Sequence, residues 1–212
     1  MLELESVRAR ARSYFETAPP AHDWHHVQRV ETLAETLVDR HPEPIDERVV
    51  TLAVLLHDIG RDREDRGEID DHADWGAQEA GRILEDVGAE TATIEAVQHC
   101  IRSHRYSNAI EPETLEARIV SDADNLDALG AVGIARVFSH GTAIGSPIYD
   151  PAVPLEADET AAGETQYNHL HKKILALPDR LYTDAGRELG EARAEFVREY
   201  VEQFDAERAG ER

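Results

Sequence analysis

The dipeptide His57-Asp58 closes a mostly apolar run, residues 49–56, and offers two adjacent side chains that can bind a metal ion. Imidazole nitrogen and carboxylate oxygen are common ligands of Zn, Mn, Fe and Ni. A carboxylate that enters a hydrophobic core is strongly unfavourable unless a cation or a hydrogen-bond donor accompanies it. In the alternative interpretation the pair ends a helix, reaches solvent, and is followed by Gly60 as the helix stop. This stretch alone leaves both interpretations open.

Further donors stand at two other places in the chain. His26 opens a helical pattern and lies in phase with Val30 and Leu33, so we expect it on the apolar face of that helix. Residues 122, 124 and 127 are aspartates inside an otherwise apolar helical segment, where carboxylates are unfavourable without a positive partner. Two histidines and two carboxylates can therefore come together from three separate helices.

Helical periodicity without sustained strand alternation predicts an all-α fold. The pattern places charged loop residues at 60–71 and an irregular, Gly- and Pro-rich segment at 139–165, and a loop of that length is usually functional. Helices are predicted to about residue 15, from 23 to 40, from 46 to 59, from 72 to 87, from 90 to 104, from 112 to 135, through residues 170–177 and from 184 to 204.

The formal net charge of −22 is spread along all 212 residues, which argues against a broad nucleic-acid interface or binding to an anionic membrane. Lys172 and Lys173 are the only lysines, and this acidic, lysine-poor composition resembles cytoplasmic proteins of salt-in halophiles. Cys100 is the only cysteine, so neither an intrachain disulfide nor a cysteine-based zinc site can form. With no signal-peptide pattern and no membrane-length apolar run, we expect a cytoplasmic protein.

The ordered set of histidines and aspartates resembles the HD superfamily of metal-dependent phosphohydrolases. The matching strings are HVQRV at 26–30, LHDIG at 56–60 and DADNLDALG at 122–130, and the likeness continues at 130–136 and 169–174. It is greatest to the YedJ/YpgQ-like branch of small prokaryotic HD hydrolases. The resemblance implies an HD-domain helical bundle with additional C-terminal helices. We expect one domain over 1–212, with a metal-binding core at about 20–135, a loop at 139–165 and C-terminal helices at 166–206.

The resemblance implies that one divalent ion (Mn, Ni, Co, Fe, Zn or Mg) is bound by His26, His57, Asp58 and one aspartate of the 122–124 pair. On a helical wheel Asp122 lies in the apolar stripe and Asp124 points away from it. The family pattern instead matches Asp124, and we choose Asp124 because an enclosed helix can bury more than one face. A second metal ion, bound by additional histidines, is a less favoured alternative.

The resemblance also implies roles beyond metal binding. Asp58 would orient the attacking water, and Asp62 would take part in proton transfer, with a solvated charged loop as the plain alternative for Asp62. Each substrate contact has a plain structural alternative: helix capping for His22 and His72, a hydrogen-bonded core position for His104, and an exposed surface position for Lys173. The implied substrate contacts are His22, Arg29, His72, His104, Asp127 and Lys173.

These features predict a metal-dependent phosphohydrolase that acts on a small phosphate ester or anhydride. A nucleotide is the favoured substrate, with cleavage of nucleoside triphosphates between the α and β phosphates. The alternative is a catalytically idle HD module that binds a nucleotide and regulates a partner. The sequence holds neither a Walker-type phosphate loop nor a G-x-S-x-G elbow. It predicts no membrane partner and no extended nucleic-acid interface, and it leaves homo-oligomer formation open.

Overall fold

The computed structural model describes residues 2–105 and 110–211, and within these ranges it contains helices and no strand, which confirms the all-α prediction. Residues 1 and 212, the ends of the predicted domain, lie outside the described part. No helix of the described ranges combines the length and apolar character needed to cross a membrane. The helices are α1 Leu2–Ser13, α2 Trp24–Arg40, α3 Glu47–Leu56, α4 Arg61–Asp65, α5 His72–Asp86, α6 Thr91–Ser103, α7 Leu115–Asp127, α8 Gly130–Ala143, α9 Gln166–Lys172 and α10 Asp184–Ala209, with 3-10 turns at Ile174–Ala176 and Pro178–Arg180.

Side-chain caps set where the helices around the histidines begin. Asp23, Asp46 and Asp71 precede α2, α3 and α5, and each carboxylate accepts hydrogen bonds from backbone N–H groups of the first turn. These N–H groups lack partners within the helix, so such a cap stabilises the helix start by about 1 kcal/mol. The N–H of His26 itself donates to Asp23 over 3.1 Å. The helix capping considered near His22 is thus present at Asp23, and the cap fixes the backbone that carries His26.

The chain divides into two compact units, Met1–Asp124 and Asn125–Arg212. In the first unit α3 lies between α2 and α6, α5 packs along α6, and α1 contacts both α3 and α5. Apolar side chains with almost no exposed surface fill the space between these helices, and they follow the predicted helical phase. The fully buried aliphatic residues of this unit include Val27, Val30, Leu37, Leu52, Leu55, Leu56, Leu84 and Ile101.

In the second unit α10 packs against α8 and the 3-10 turns, and α8 contacts α9. The segment between α8 and α9 is organised around the buried carboxylate of Asp158. This carboxylate accepts hydrogen bonds from the Thr160 hydroxyl, the backbone N–H of Glu164 and the side-chain amide of Asn168, and the ammonium group of Lys172 lies 3.1 Å away. The Thr160 hydroxyl is the main cause that holds the pKa of Asp158 well below its ordinary value. The predicted irregular segment therefore has a polar centre that is held by hydrogen bonds and an ion pair.

Three predicted boundaries are wrong. The single helix expected over 112–135 is two helices, because Leu129 is extended and Gly130 adopts a left-handed φ of 69° that suits glycine. The charged loop expected at 60–71 contains the short helix α4, whose Arg61 and Asp65 form an i,i+4 ion pair of 3.2 Å. The irregular segment begins at Ile144 rather than at residue 139, since α8 continues to Ala143.

Candidate metal centre

The HD dipeptide lies in the turn between α3 and α4, directly after the last residue of α3. His57 has no exposed surface and Asp58 is 6% exposed. The alternative in which this pair merely reaches solvent is therefore wrong. Gly60 has a φ of −95°, so it is not a left-handed helix stop either. Instead α3, an almost wholly apolar helix, carries the two polar side chains into the interior of the first unit.

Four of the predicted donors converge on one point. The Nε2 atoms of His26, from α2, and His57 lie 3.2 Å apart. Oδ2 of Asp58 lies 3.5 Å from Nε2 of His26 and 3.6 Å from Nε2 of His57. Oδ1 of Asp124, from α7, lies 3.4 and 3.9 Å from the same two nitrogens. Helices α2 and α7 and the HD turn thus bring two imidazoles and two carboxylates together.

The chemistry of this donor set fits a divalent cation. The Nδ1–H of His57 donates to the carbonyl oxygen of Val54 over 2.8 Å, so the neutral ring presents a lone pair at Nε2. Burial lowers the pKa of His57 to about 4, which keeps the ring neutral near pH 7. One ligand atom from each of His26, His57 and Asp58 falls within 4.8 Å of the others. Neutral imidazoles with ionised carboxylates are the form in which these residues bind metal ions.

Asp58 also faces a second pair of histidines with its other oxygen. Oδ1 lies 3.2 Å from Nε2 of His72 and 3.6 Å from Nε2 of His104. Burial opposes ionisation of Asp58, yet the electrostatic interaction with His57 and hydrogen bonds from the facing imidazoles hold its pKa well below the ordinary value. Burial likewise opposes a charge on His104, but the hydrogen bond to Asp58 raises the pKa of His104. His104 is therefore buried as a core histidine would be, and it also faces the site.

Glu64 is a residue of the site that the sequence did not single out. Its Oε2 accepts a hydrogen bond of 2.8 Å from Nδ1 of His72, and its Oε1 accepts one of 2.7 Å from Arg105. Burial alone would raise the pKa of this carboxyl. The hydrogen bond from His72 and the charge of Arg105 have the larger effect and lower the pKa below its ordinary value, so Glu64 is ionised. Sequence spacing could not show this contact, because it depends on how α4 lies against α5.

Two aspartates of α7 compete for the fourth ligand position. Asp122 has no exposed surface, as its place in the apolar stripe predicts. The side chain of Asp124 is 24% exposed and lies beside the two histidines. The distances favour Asp124, and its assignment as the ligand stays a prediction.

Three further predicted site residues belong to the first unit. The ring of His22 is half-buried, and its centroid lies 6.0 Å from that of His26, edge to face. Arg29 is half-buried on α2, one turn beyond His26. Asp62 accepts a hydrogen bond of 2.9 Å from Thr17 and pairs with Arg66 at 2.8 Å, so its proton-transfer role stays a prediction.

Asp127 and Lys173 belong to the second unit. Asp127 is buried and forms an ion pair of 3.0 Å with Arg136. Lys173 is half-buried at the C-terminal end of α9. Their roles toward a substrate remain predictions.

The family model of the HD domain matches residues 23–129, a span that contains every donor of this centre. The chain therefore belongs to the HD domain family, whose members bind divalent metal ions. YpgQ of Bacillus subtilis is 32% identical over 212 aligned residues, which cover 98% of this chain and 95% of YpgQ.

Solved structures show the same fold. An HD-superfamily hydrolase from Bacillus thuringiensis is 30% identical with a TM-score of 0.74, and the match covers 97% of this chain and 96% of that one. The structure of B. subtilis YpgQ in complex with ADP is 29% identical with a TM-score of 0.74, covering 97% and 95% of the two chains. The chain thus has the fold of HD-superfamily hydrolases.

Proposed function

We propose that this protein is a metal-dependent phosphohydrolase that acts on a small phosphate ester or anhydride, with a nucleotide as the substrate class. The observation that carries the proposal is the convergence of two imidazoles and two carboxylates, with facing nitrogen and oxygen atoms 3.2 to 3.9 Å apart. A family fold alone does not define an activity, whereas a buried site with this donor set does favour hydrolytic metal chemistry.

Each residue of the site has a role in this proposal. His26, His57, Asp58 and Asp124 would hold the ion. When bound, a divalent ion neutralises charge on phosphoryl oxygens and lowers the pKa of a water molecule toward neutrality. Asp58 places its two oxygens toward opposite histidine pairs, so it can also accept a hydrogen bond from the attacking water and orient it.

His72 and His104 present Nε2 atoms on the same side of Asp58. With both ring nitrogens protonated, these imidazoles would donate hydrogen bonds from Nε2 to phosphate oxygens and offset their charge. The positive charge that such imidazoles can carry matters because the chain as a whole has a net charge of −22, which repels anionic substrates.

The choice of a nucleotide rests on relatives and on family likeness. YpgQ has been crystallised with ADP, which supports a nucleoside phosphate as ligand of this chain as well. Within that class we favour nucleoside triphosphates cleaved to a monophosphate and pyrophosphate.

The decisive experiment is an assay of purified, metal-stripped protein reloaded with Mn, Co, Ni or Mg. The substrates are the four dNTPs, nucleoside monophosphates and cyclic nucleotides, and released phosphate and pyrophosphate are separated and quantified. We expect turnover only in the reloaded samples. If no substrate is turned over while nucleotides still raise the melting temperature, the protein is a nucleotide-binding regulatory module instead.

Two variants test the ligand set directly through equilibrium metal binding. Asp124→Ala removes a carboxylate that faces both histidines, so we expect loss of metal binding and of turnover. Asp122→Ala is the matched control on the same helix. If only Asp122→Ala abolishes metal binding in folded protein, the assignment of Asp124 is overturned.

A further inference from the structure

We propose that Glu64 is a positioning residue that fixes the orientation and tautomer of His72 at the candidate centre. This inference rests on the proposed function for its kinetic consequence, and on hydrogen-bond geometry alone for its structural content. Glu64 touches no predicted metal ligand in the contacts described above; it acts through the imidazole that faces Asp58.

Three of the imidazoles that face Asp58, those of His57, His72 and His104, differ in how their Nδ1 atoms are held. Nδ1 of His57 donates to the carbonyl of Val54, and Nδ1 of His104 donates to the carbonyl of Ile101 over 2.6 Å. Both carbonyls lie three residues back, in the helix that the histidine directly follows, so the end of that helix orients each of these two rings. His72 is the first residue of α5, and the chain before it is not helical. A carbonyl of a preceding helical turn is therefore not available to His72.

Glu64 supplies the missing acceptor from a different helix. Its Oε2 lies 2.8 Å from Nδ1 of His72, while Nε2 of the same ring lies 3.2 Å from Oδ1 of Asp58. An ionised carboxylate only accepts hydrogen bonds, so Nδ1 of His72 must carry a proton. The ring is thereby held with Nε2 toward the site, in the way that outer carboxylates orient histidines at metal centres.

Glu64 is itself held in place by cations. Arg105 donates to Oε1 over 2.7 Å, and Nη1 of Arg61 lies 3.6 Å from Oε2. The same guanidinium of Arg105 lies 3.8 Å from Asp71, the residue that caps α5 directly before His72. The Glu64 side chain is 15% exposed, so water screens these contacts only in part. Because its two oxygens accept hydrogen bonds from different donors, the carboxylate is held in one orientation.

The isosteric substitution Glu64→Gln has a specific expected result. An amide has one acceptor oxygen, and Arg105 can only donate, so we expect the amide oxygen to face Arg105. The amide NH2 group then faces Nδ1 of His72, which must accept instead of donate. Nδ1 then carries no proton, so the single proton of the ring lies on Nε2 and the ring presents a different protonation pattern to Asp58. Loss of an outer partner of this kind typically reduces activity about 10- to 100-fold.

The direct test is two-bond 1H–15N correlation spectroscopy of protein with 15N-labelled histidine. In the unsubstituted protein we expect the Nδ1 shift of His72 to be that of a protonated nitrogen, and in Glu64→Gln that of an unprotonated one. His57 and His104 are internal controls, because their Nδ1 atoms donate to backbone carbonyls and should not change. Glu68→Gln is the matched control variant, since Glu68 is exposed and pairs with Arg63 and Arg66. Its spectrum should match that of the unsubstituted protein.

A protonated Nδ1 of His72 in both proteins would overturn the proposal, and so would an unprotonated Nδ1 in the unsubstituted protein. Intact signals of His57 and His104 show that the variant is folded. The kinetic arm asks whether kcat/KM falls about 10- to 100-fold in Glu64→Gln, while Glu68→Gln keeps the value of the unsubstituted protein. A protein without hydrolytic activity would refute the proposed function, and the NMR result would still decide the role of Glu64.

Discussion

Replacing Gly60 by alanine should separate α5 from the HD turn. A Cβ atom at this position would lie 2.9 Å from the carbonyl oxygen of His72 and 2.9 Å from Cε3 of Trp75. Ordinary contacts of carbon are about 3.5–4.0 Å, so both neighbours would have to move by about 0.5–1 Å. The φ of −95° is acceptable for alanine, so the effect would come from the contact and not from backbone strain.

Neither neighbour of Gly60 can move easily. The carbonyl of His72 belongs to the first turn of α5, where Asp71 caps the helix. The ring of Trp75 is held by Arg63, whose guanidinium carbon lies 4.9 Å from the ring centroid, and by an edge contact with Tyr14. Overpacking at such a place costs about 1–3 kcal/mol of unfolding free energy. In a chain of this length that lowers the melting temperature by about 2–4 °C per kcal/mol.

Gly76→Ala is the matched control, because Gly76 lies on α5 and also faces the HD turn. A Cβ there would lie 3.6 Å from the carbonyl oxygen of His57 and 3.7 Å from Ile101, which are ordinary contacts. Alanine within a helix is favoured over glycine by about 0.5–1 kcal/mol, so this variant should be at least as stable as the unsubstituted protein. Urea unfolding followed by circular dichroism measures both variants. If Gly60→Ala is as stable as the unsubstituted protein, or if Gly76→Ala is the more damaging change, Gly60 does not limit how closely α5 packs against the HD turn.

Three further outcomes are expected. Cys100 is fully buried and burial raises its pKa to about 12, so Ellman's reagent should leave the native protein unmodified near pH 8 and titrate one thiol after unfolding; rapid native reaction would contradict this. The pKa of Asp158 is lower in the folded than in the unfolded chain. Its ionised form therefore stabilises the fold above the unfolded pKa, and this stabilisation is lost as the pH falls through the lower pKa of the folded chain. The urea midpoint of Asp158→Asn should therefore lie below that of the unsubstituted protein near neutral pH, and the gap should shrink in acid; a gap independent of pH would count against the ion pair with Lys172. Raising KCl from about 0.1 to 1 M shortens the Debye length from about 10 to 3 Å, so the melting temperature of this chain of net charge −22 should rise, and a flat response would show that self-repulsion matters little.

Helical periodicity predicted the amphipathic helices well, because one apolar face determines both their phase and their burial. It failed where hydrophobicity continues through a break. Gly130 stands in an apolar run, and only its left-handed backbone separates α7 from α8. It also failed at α4, which has no buried residue and hence no apolar face to detect.

Prediction of the candidate site had a similar limit. The order of His26, the HD pair and the acidic helix indicated which elements would meet, and the structure brings them together. The helical wheel placed Asp122 inward, and it is buried, but α7 is buried on nearly every side between Ile119 and Asp127. On a helix that is buried on nearly every side, a helical wheel cannot tell which aspartate faces the candidate site. Glu64 could not be found at all, because its contact with His72 arises from tertiary packing.

The two oxygens of Asp58 give the centre a property that its separate halves lack. Oδ2 faces His26 and His57, while Oδ1 faces His72 and His104. A cation held on one side withdraws electron density from the shared carboxylate and weakens it as an acceptor on the other side. Such linkage is reciprocal, so a ligand at the His72 side must change affinity at the His26 side by the same factor. Occupancy of one half would therefore change the affinity of the other, and the two halves would behave as coupled sites and not as independent ones.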